Sequence, residues 1–241
     1  MRPVAVVTGG SSGIGAAFVA ALHEAGWMVA TCGRDRARLE QLAQRHPGVQ
    51  IHVCDVADRD SVARFARELL AGVTAVDLLV NNAGGLSEID FTRADLAAMD
   101  LTADLRVNLE GAINVTAALL PALKAAPRAD LVMVTSGYAL APATRAPVYS
   151  AAKSGLRSFT KALRRQLRSS TIAVTEVVPP LVDTPAVAHR KGPKISAQQV
   201  VAETLAALRA QRLEVYPGRA RLLPLLLRLA PRRIEEVLAR T

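Results

Sequence analysis

The sequence predicts a doubly wound α/β fold, a parallel sheet of seven strands with helices on both faces, and three observations carry that reading. Short β-branched runs alternate with longer helical patterns from one end of the chain to the other. Most of these runs are continuously apolar, as strands covered on both faces must be. The 241 residues, 51% of them hydrophobic, suffice to bury one substantial core. The chain therefore reads as one domain over residues 1–241.

Taken in order, strands are expected at 4–8, 28–32, 50–54, 78–80, 131–135, 173–178 and 213–216. Helices are expected between them at 16–25, 36–44, 61–70, 101–125, 150–169 and 197–209, where apolar residues recur near helical spacing among Ala, Leu and Arg. Right-handed crossovers wind such a sheet doubly, and its ligand then lies outside the carboxyl ends of the strands. Residues 182–195, rich in Pro, Gly and Lys, read as a mobile substrate loop over that crevice. Residues 219–241 read as a tail of two short amphipathic helices opened by Pro224 and Pro231. Leu222, Leu226 and Leu229 share one face there, with Arg221, Arg228, Arg232 and Arg233 adding positive charge. Packing over the loop or against a second subunit is the expectation for this tail, and a helix lying on a membrane surface is the alternative.

Composition narrows the function classes. The apolar run at 4–7 leads straight into glycines and is too short for a secretory signal. The longest apolar stretches, 222–227 included, fall far short of the roughly 20 residues that cross a bilayer, so a soluble cytoplasmic protein is expected. Cys32 and Cys54 stand far apart without metal-ligand partners, and the four histidines show no HExxH-like pairing, so neither a disulfide nor a metal site is expected. The net charge of +9 concentrates in residues 157–168 and 209–241, which read as a solvated helix face and an Arg-rich tail. With aromatic residues at only 3%, stacking platforms are scarce and no nucleic-acid partner is expected.

The first strand runs into Thr8-Gly9-Gly10-Ser11-Ser12-Gly13-Ile14-Gly15, and a helix follows at once. Gly9 permits a tight turn, Gly13 lets backbone approach a pyrophosphate, and Gly15 lets helix and strand pack closely. The helix N-terminus then offers unpaired N–H groups to the diphosphate, as in Rossmann dinucleotide sites. After the second strand, the position where an acid would bond the ribose hydroxyls of NAD is Gly33, followed by Arg34. Glycine leaves room for a 2′-phosphate and Arg34 supplies a planar bidentate donor, so NADP(H) is preferred and NAD(H) is the alternative. Asp55 and Val56, after the third strand, are placed to meet the adenine.

Tyr149-Ser150-Ala151-Ala152-Lys153 sets a phenol and an ammonium four residues apart, on one face of a helix. A free tyrosine titrates near 10, and a nearby cation favours its phenolate, which equips Tyr149 to donate or accept a proton.

With the glycine turn, Asn81-Asn82-Ala83-Gly84 after the fourth strand, Asn108 in a helix, Ser136 after the fifth strand and YxxxK in that order, the chain resembles the short-chain dehydrogenase/reductase family from residue 3 to at least 209. The resemblance implies that Tyr149 is the general acid in carbonyl reduction and the base in alcohol oxidation. It implies that Ser136 bonds the substrate oxygen, that Lys153 binds the nicotinamide ribose and biases Tyr149, and that Asn108 holds a water joining Lys153 to solvent. Asn82, Ala83 and Gly84 would line the cofactor, with Ser11, Ser12 and Ile14 in the turn. The family also has Pro-Gly, then Val and Thr beside the carboxamide. Here the segment is Pro179-Pro180-Leu181-Val182-Asp183-Thr184, so Pro179, Val182 and Thr184 match while Pro180 removes an N–H and fixes φ. That variant, with residues 163–168 and 226–231, is loosely similar to the subgroup containing the oxidoreductase-like protein of teichoic-acid D-alanylation operons.

The reading that follows is an NADP(H)-dependent ketoreductase acting on a small carbonyl or alcohol, its pocket shaped by Gly85, Leu86, Ser136, Tyr138, Leu181 and the loop at 185–193. The family resemblance implies a dimer or tetramer, with the helices starting at 101 and 150 buried between subunits. A cofactor-binding regulatory or scaffold protein without turnover and a membrane-surface protein using the basic tail are the alternatives.

Overall fold

The computed structural model describes residues 2–92 and 95–239. The ends of the expected domain and tail, Met1, Arg240 and Thr241, lie outside the described residues. The apolar runs form the strands β1 Val4–Thr8, β2 Met28–Gly33, β3 Gln50–Val53, β4 Leu78–Asn81, β5 Ala129–Val134 and β6 Ile172–Val177. A short pair, β7 Val182–Asp183 and β8 Ile195–Ser196, precedes β9 Glu214–Val215. The main sheet has the order β3-β2-β1-β4-β5-β6-β9, with every pair parallel. β1 pairs with β2 on one side and β4 on the other, so the winding reverses between β1 and β4 and opens a crevice at their carboxyl ends.

The helices are α1 Gly13–Glu24, α2 Arg36–Arg45, α3 Arg59–Leu70, α4 Ala103–Leu105, α5 Gly111–Ala125, α6 Pro147–Gln166, α7 Ala197–Arg209, α8 Leu223–Leu229 and α9 Pro231–Ala239. Alternation along β1 divides the core in two: Val4 and Val6 join Phe65, Leu119 and Leu156 on one face. Ala5 and Val7 join Phe18, Leu22 and Val200 on the other. Each face is closed by helices, which is why the strands are apolar throughout.

Two expectations need correction. The helix predicted over 101–125 is interrupted: a five-residue π-helical turn, Arg106–Glu110, lies between α4 and α5. The loop at 182–195 is tied at its base, where Val182 pairs with Ile195 and Asp183 with Ser196. Strands of two residues show no periodicity for a sequence to reveal. Cys32 and Cys54, distant in sequence, meet across the β2–β3 edge as free buried thiols. Their mutual hydrogen bond, with burial, holds the Cys32 thiol well above its ordinary value, while the same bond lowers Cys54.

One charged cluster is built into the sheet. Glu176 of β6 is fully buried, accepts from Thr135 Oγ1 at 2.8 Å, and pairs with Arg157 of α6 at 2.6 Å. Arg157 also donates to the Tyr216 hydroxyl at 3.3 Å, and that hydroxyl donates to Glu214 at 2.5 Å. Removing Arg157 leaves the Glu176 carboxylate uncompensated in a dry site, whereas replacing both charges leaves an apolar contact. Arg157→Met is expected to lower the unfolding free energy by about 3–5 kcal/mol in urea titrations, and Arg157→Met/Glu176→Leu to recover much of that loss. Equal losses in the single and double variants would refute this account.

Candidate functional site

The carboxyl ends of β1 and β4 are joined by side-chain hydrogen bonds. Thr8 Oγ1 accepts from the backbone N–H groups of Asn82 and Ala83, both at 3.0 Å, and donates to the Val80 carbonyl at 3.3 Å. Asn82 Nδ2 donates to the Thr8 carbonyl at 3.0 Å. Gly9 and Gly13 have φ of +69° and +54°, where L side chains are strained. A Cβ on Gly9 would stand 2.9 Å from Ala83 Cα, and one on Gly15 would stand 2.2 Å from the Gly9 carbonyl oxygen. A methyl at either position would collide with the β1–β4 seam and push the turn out of place. Ser12 is the N-cap of α1 but makes no side-chain capping bond, which leaves first-turn N–H groups at Gly13, Ile14 and Gly15 available to an anion.

Beside this turn, the Cβ position of Gly33 lies 3.6 Å from Ser11 Oγ. Arg34 is exposed, and among the described residues it makes no hydrogen bond or ion pair. Asp35 caps α2 by accepting from the Arg38 N–H, and it pairs with the Arg38 guanidinium, each at 3.0 Å. Its carboxylate is therefore committed away from Arg34. Asp55 accepts from the Ala57 N–H at 3.0 Å. Val56 is buried against Gly111, where a Cβ would come within 2.6 Å of Val56 Cγ2. From the other side, Thr184 Cγ2 lies 3.1 Å from the Cβ position of Gly13, which brings the loop after buried Val182 against the glycine turn.

At the end of β5, Ser136 caps a 3-10 turn, its Oγ accepting from the Tyr138 N–H at 3.2 Å. Pro147 opens α6, a position that needs no N–H partner. One turn on, α6 presents Tyr149 and Lys153. Buried Lys153 donates to the Val134 carbonyl at 2.9 Å and stands 5.7 Å from the Tyr149 ring centroid. Tyr138 meets half-buried Tyr149 edge-to-face, with centroids 6.3 Å apart. Burial lowers the Lys153 ammonium to about 8 against the opposing pull of the Asp104 carboxylate. Burial pushes the Tyr149 phenol up to about 12, while hydrogen bonding to Ser136 opposes the rise and Tyr138 and Asp104 add to it. Desolvation acts on each group separately and favours its neutral form.

Asn108 lies in the π-helical turn, with Nδ2 donating to the Gly85 and Asp104 carbonyls at 2.9 Å each. Its buried Oδ1 has no protein partner and lies 2.5 Å from the Cβ position of Gly84, which is itself 3.6 Å from Lys153 Nζ. A side chain at 84 would close the space between the amide and the ammonium.

Four residues of this region escape the sequence reading. Asp104 is buried, accepting from the Ser87 N–H at 2.9 Å and from Ser87 Oγ at 3.1 Å. Its place four residues before Asn108 was the available signal. Glu88 draws together Arg190 at 2.8 Å and Arg145 at 3.3 Å, and Arg145 donates to the Tyr138 hydroxyl at 3.0 Å. These three come from separate segments, and no local spacing marks them. Of the expected pocket residues, Leu181 accepts through its carbonyl from the Ile195 N–H at 3.1 Å, and Pro179 from the Gly137 N–H at 3.3 Å. Gly85 faces Asp104, with a Cβ position 4.0 Å from Oδ1, and Leu86 is partly exposed. Among the described residues no three His, Cys, Asp or Glu side chains group to hold a metal, and no helix is long and apolar enough to cross a membrane.

A glycine turn at the switch point, with a serine, tyrosine and lysine at the neighbouring strand end, is the arrangement of a dehydrogenase. The family model for short chain dehydrogenase matches residues 3–194, and the chain belongs to that family of oxidoreductases. It is 38% identical over 179 residues to the uncharacterized oxidoreductase DltE of Bacillus subtilis, covering 74% of this chain and 71% of that one. It is 31% identical over 215 residues to sulfoacetaldehyde reductase 2 of Chromohalobacter salexigens, covering 88% and 85%. Among solved structures, a short chain dehydrogenase from Burkholderia cenocepacia in complex with NADP superposes with a TM-score of 0.87 at 28% identity, covering 100% of this chain and 98% of that one.

The crowding at Gly15 gives a direct check. Gly15→Ala is expected to cost about 1–3 kcal/mol in unfolding free energy by overpacking. Gly72→Ala, whose nearest neighbour is 3.8 Å away, is expected to be neutral or slightly stabilising. Thermal melts of both variants decide the matter.

Proposed function

We propose that the protein is an NADP(H)-dependent reductase of small carbonyl compounds, working in the cytoplasm. The observation that carries this reading is the convergence of Ser136, Tyr149, Lys153 and Asn108 beside a glycine turn packed too closely on the β1–β4 seam to admit a Cβ. On this reading the chain is a single dinucleotide-binding domain.

The N–H groups of the turn Gly9, Ser11, Ser12, Gly13, Ile14 and Gly15 would hold the diphosphate. Ser11, Gly33 and Arg34 would receive the 2′-phosphate, since Arg34 has no competing partner there and no acid stands at 33 to repel it. Asp55 and Val56 would meet the adenine, Asn82, Ala83 and Gly84 the sugar, and Pro179, Val182 and Thr184 the carboxamide. The Burkholderia cenocepacia structure is a complex with NADP, which supports a nicotinamide dinucleotide as the cofactor. When bound, the nicotinamide supplies the hydride.

The chain's own residues hold the substrate oxygen and move a proton. Ser136 Oγ bonds that oxygen as charge develops on it. Tyr149, a phenol protonated at neutral pH, donates its proton to the same oxygen. Lys153, fixed to the Val134 carbonyl, binds the ribose, and the Asn108 Oδ1 left without a protein partner accepts from a water that connects Lys153 to solvent. The pocket would be walled by Gly85, Leu86, Tyr138 and Leu181, under the Arg190–Glu88–Arg145 bridge. The similarity to a sulfoacetaldehyde reductase supports a carbonyl as substrate. A regulatory protein without turnover has no need of the phenol and ammonium pair, and a second copy covering α5 and α6 is the assembly we propose.

Tyr149→Phe is expected to retain NADPH binding and to lose about a hundredfold to ten-thousandfold in turnover, read by nicotinamide absorbance over a panel of aldehydes and ketones. Arg34→Ala is expected to weaken NADPH about ten- to hundredfold while leaving NADH unchanged, by fluorescence titration. Failure of the wild type to bind either nucleotide refutes the reading. The Tyr149 phenol, raised to about 12, is the form that reduction needs, so reduction should hold its rate through neutral pH. Oxidation, which needs the phenolate, should accelerate as pH rises. A reduction rate that climbs with pH contradicts the assignment of Tyr149 as the acid.

A further inference from the structure

We infer that the C-terminal segment from Gly218 to Ala239 is a docking surface for an anionic lipid bilayer. The segment opens with a 3-10 turn, Gly218–Leu222, and continues as α8 and α9. Leu222, Leu225, Leu226 and Leu229 follow the i, i+3, i+4, i+7 spacing by which a helix buries one face against a core. Here that face is turned to solvent: the four are 52%, 54%, 41% and 72% exposed, and Val237 on α9 is 59% exposed. Five of the ten large apolar side chains exposed among the described residues thus fall between positions 222 and 237. Scattered exposed leucines need no explanation, but an aligned stripe of them does.

The stripe is bordered by predominantly positive charge, five arginines against Glu235 and Glu236 on α9. Arg219, Arg221, Arg228, Arg232 and Arg233 are exposed or half-buried, and none makes a side-chain hydrogen bond or ion pair with a described residue. Residues 209–241 hold eight Arg against three Glu. A second copy meeting this surface about a two-fold axis would bring together two faces of net positive charge. A nucleic acid would accept the arginines but leave the leucines in water. An anionic bilayer satisfies both groups, with headgroup phosphates for the guanidinium ions and the acyl boundary for the leucines.

The surface has a fixed relation to the site. Leu223 turns inward, buried, with Cδ2 3.8 Å from the Cβ position of Gly137, and the Ala239 carbonyl accepts from the Thr144 N–H at 3.2 Å. The segment is thereby anchored to the turn carrying Ser136 and Tyr138, so docking sets the mouth of the site at the bilayer. That last step rests on the function proposed above, whereas the lipid contact does not.

The test is co-sedimentation of the full-length protein with vesicles of phosphatidylcholine alone and of phosphatidylcholine mixed with phosphatidylglycerol in equal parts, in low and high salt. Binding to the mixed vesicles only, weakened by salt, is expected. Leu225→Glu/Leu229→Glu should abolish it, and Arg228→Glu/Arg232→Glu/Arg233→Glu should weaken it by at least about a hundredfold. Both sets lie on exposed positions, and circular dichroism melts check that each variant folds; the arginine set serves if the leucine set does not. Absence of binding to mixed vesicles overturns the inference, as does binding that neither variant changes. A dimer in sedimentation velocity that the leucine variant converts to monomer, without vesicle binding, assigns the stripe to a second copy and overturns it as well. No arm requires turnover, so an inactive enzyme and a failed lipid contact remain distinguishable.

Discussion

The site depends on the seam between β1 and β4. Winding reverses there, so the chains leaving the two strands diverge, and only side-chain hydrogen bonds can hold their ends in one plane. Thr8 does this with a single hydroxyl that accepts two successive N–H groups, from Asn82 and Ala83, while the Asn82 amide returns a bond to the Thr8 carbonyl. The closeness so produced is what excludes a Cβ at Gly9 and Gly15. The glycines are therefore a consequence of the seam as much as a device for approaching a phosphate.

A second constraint follows from burial at the neighbouring strand end. Lys153 and Tyr149 are both displaced toward neutrality by desolvation, and the Lys153 ammonium is held by the Val134 carbonyl. Asp104 sits behind them as the buried negative charge, itself bonded twice by Ser87. The π-helical turn is part of the same arrangement. It lets the Asn108 side-chain amide take the Asp104 carbonyl, an acceptor that a regular α-helical turn gives to the backbone N–H. Asn108 Oδ1 is then directed toward the space between Gly84 and Lys153 rather than spent within the helix.

How much of this was legible in the sequence follows from the range of the interactions. The strand and helix order, the glycine turn and the Tyr149–Lys153 spacing are local patterns, each contained within about two turns or one strand-loop unit, and local periodicity records them. The π-helical turn at 106–110 leaves no such record, because the residues of 101–125 fit an uninterrupted helix equally well. Asp104 could be read only once Asn108 was known to face the site. The Glu88 bridge joins segments 57 and 102 residues away, at Arg145 and Arg190, and only the folded chain shows it. The tail is an intermediate case. Its leucine spacing is plain in the sequence, but which side packs inward is shown only by the folded chain, where Leu223 is buried toward the turn at Gly137.

The two walls of the crevice are held by different kinds of bond, and this divides their roles. The cofactor wall is stitched by backbone and hydroxyl hydrogen bonds among buried or half-buried residues of β1 and β4, which cannot open without disturbing the central strands. The opposite wall is the segment from Pro179 to Ser196. It is held by two strand pairings, by the Gly137–Pro179 bond, and by ion pairs to Glu88, whose side chain is 43% exposed. The Arg190 end of that bridge is buried, its side chain 5% exposed, so the pair ties the segment to Glu88 from within the fold. Pro180 adds to this by fixing φ where the family has glycine. On the function proposed above, this segment is the wall open to variation, while the nucleotide face is set by the central strands.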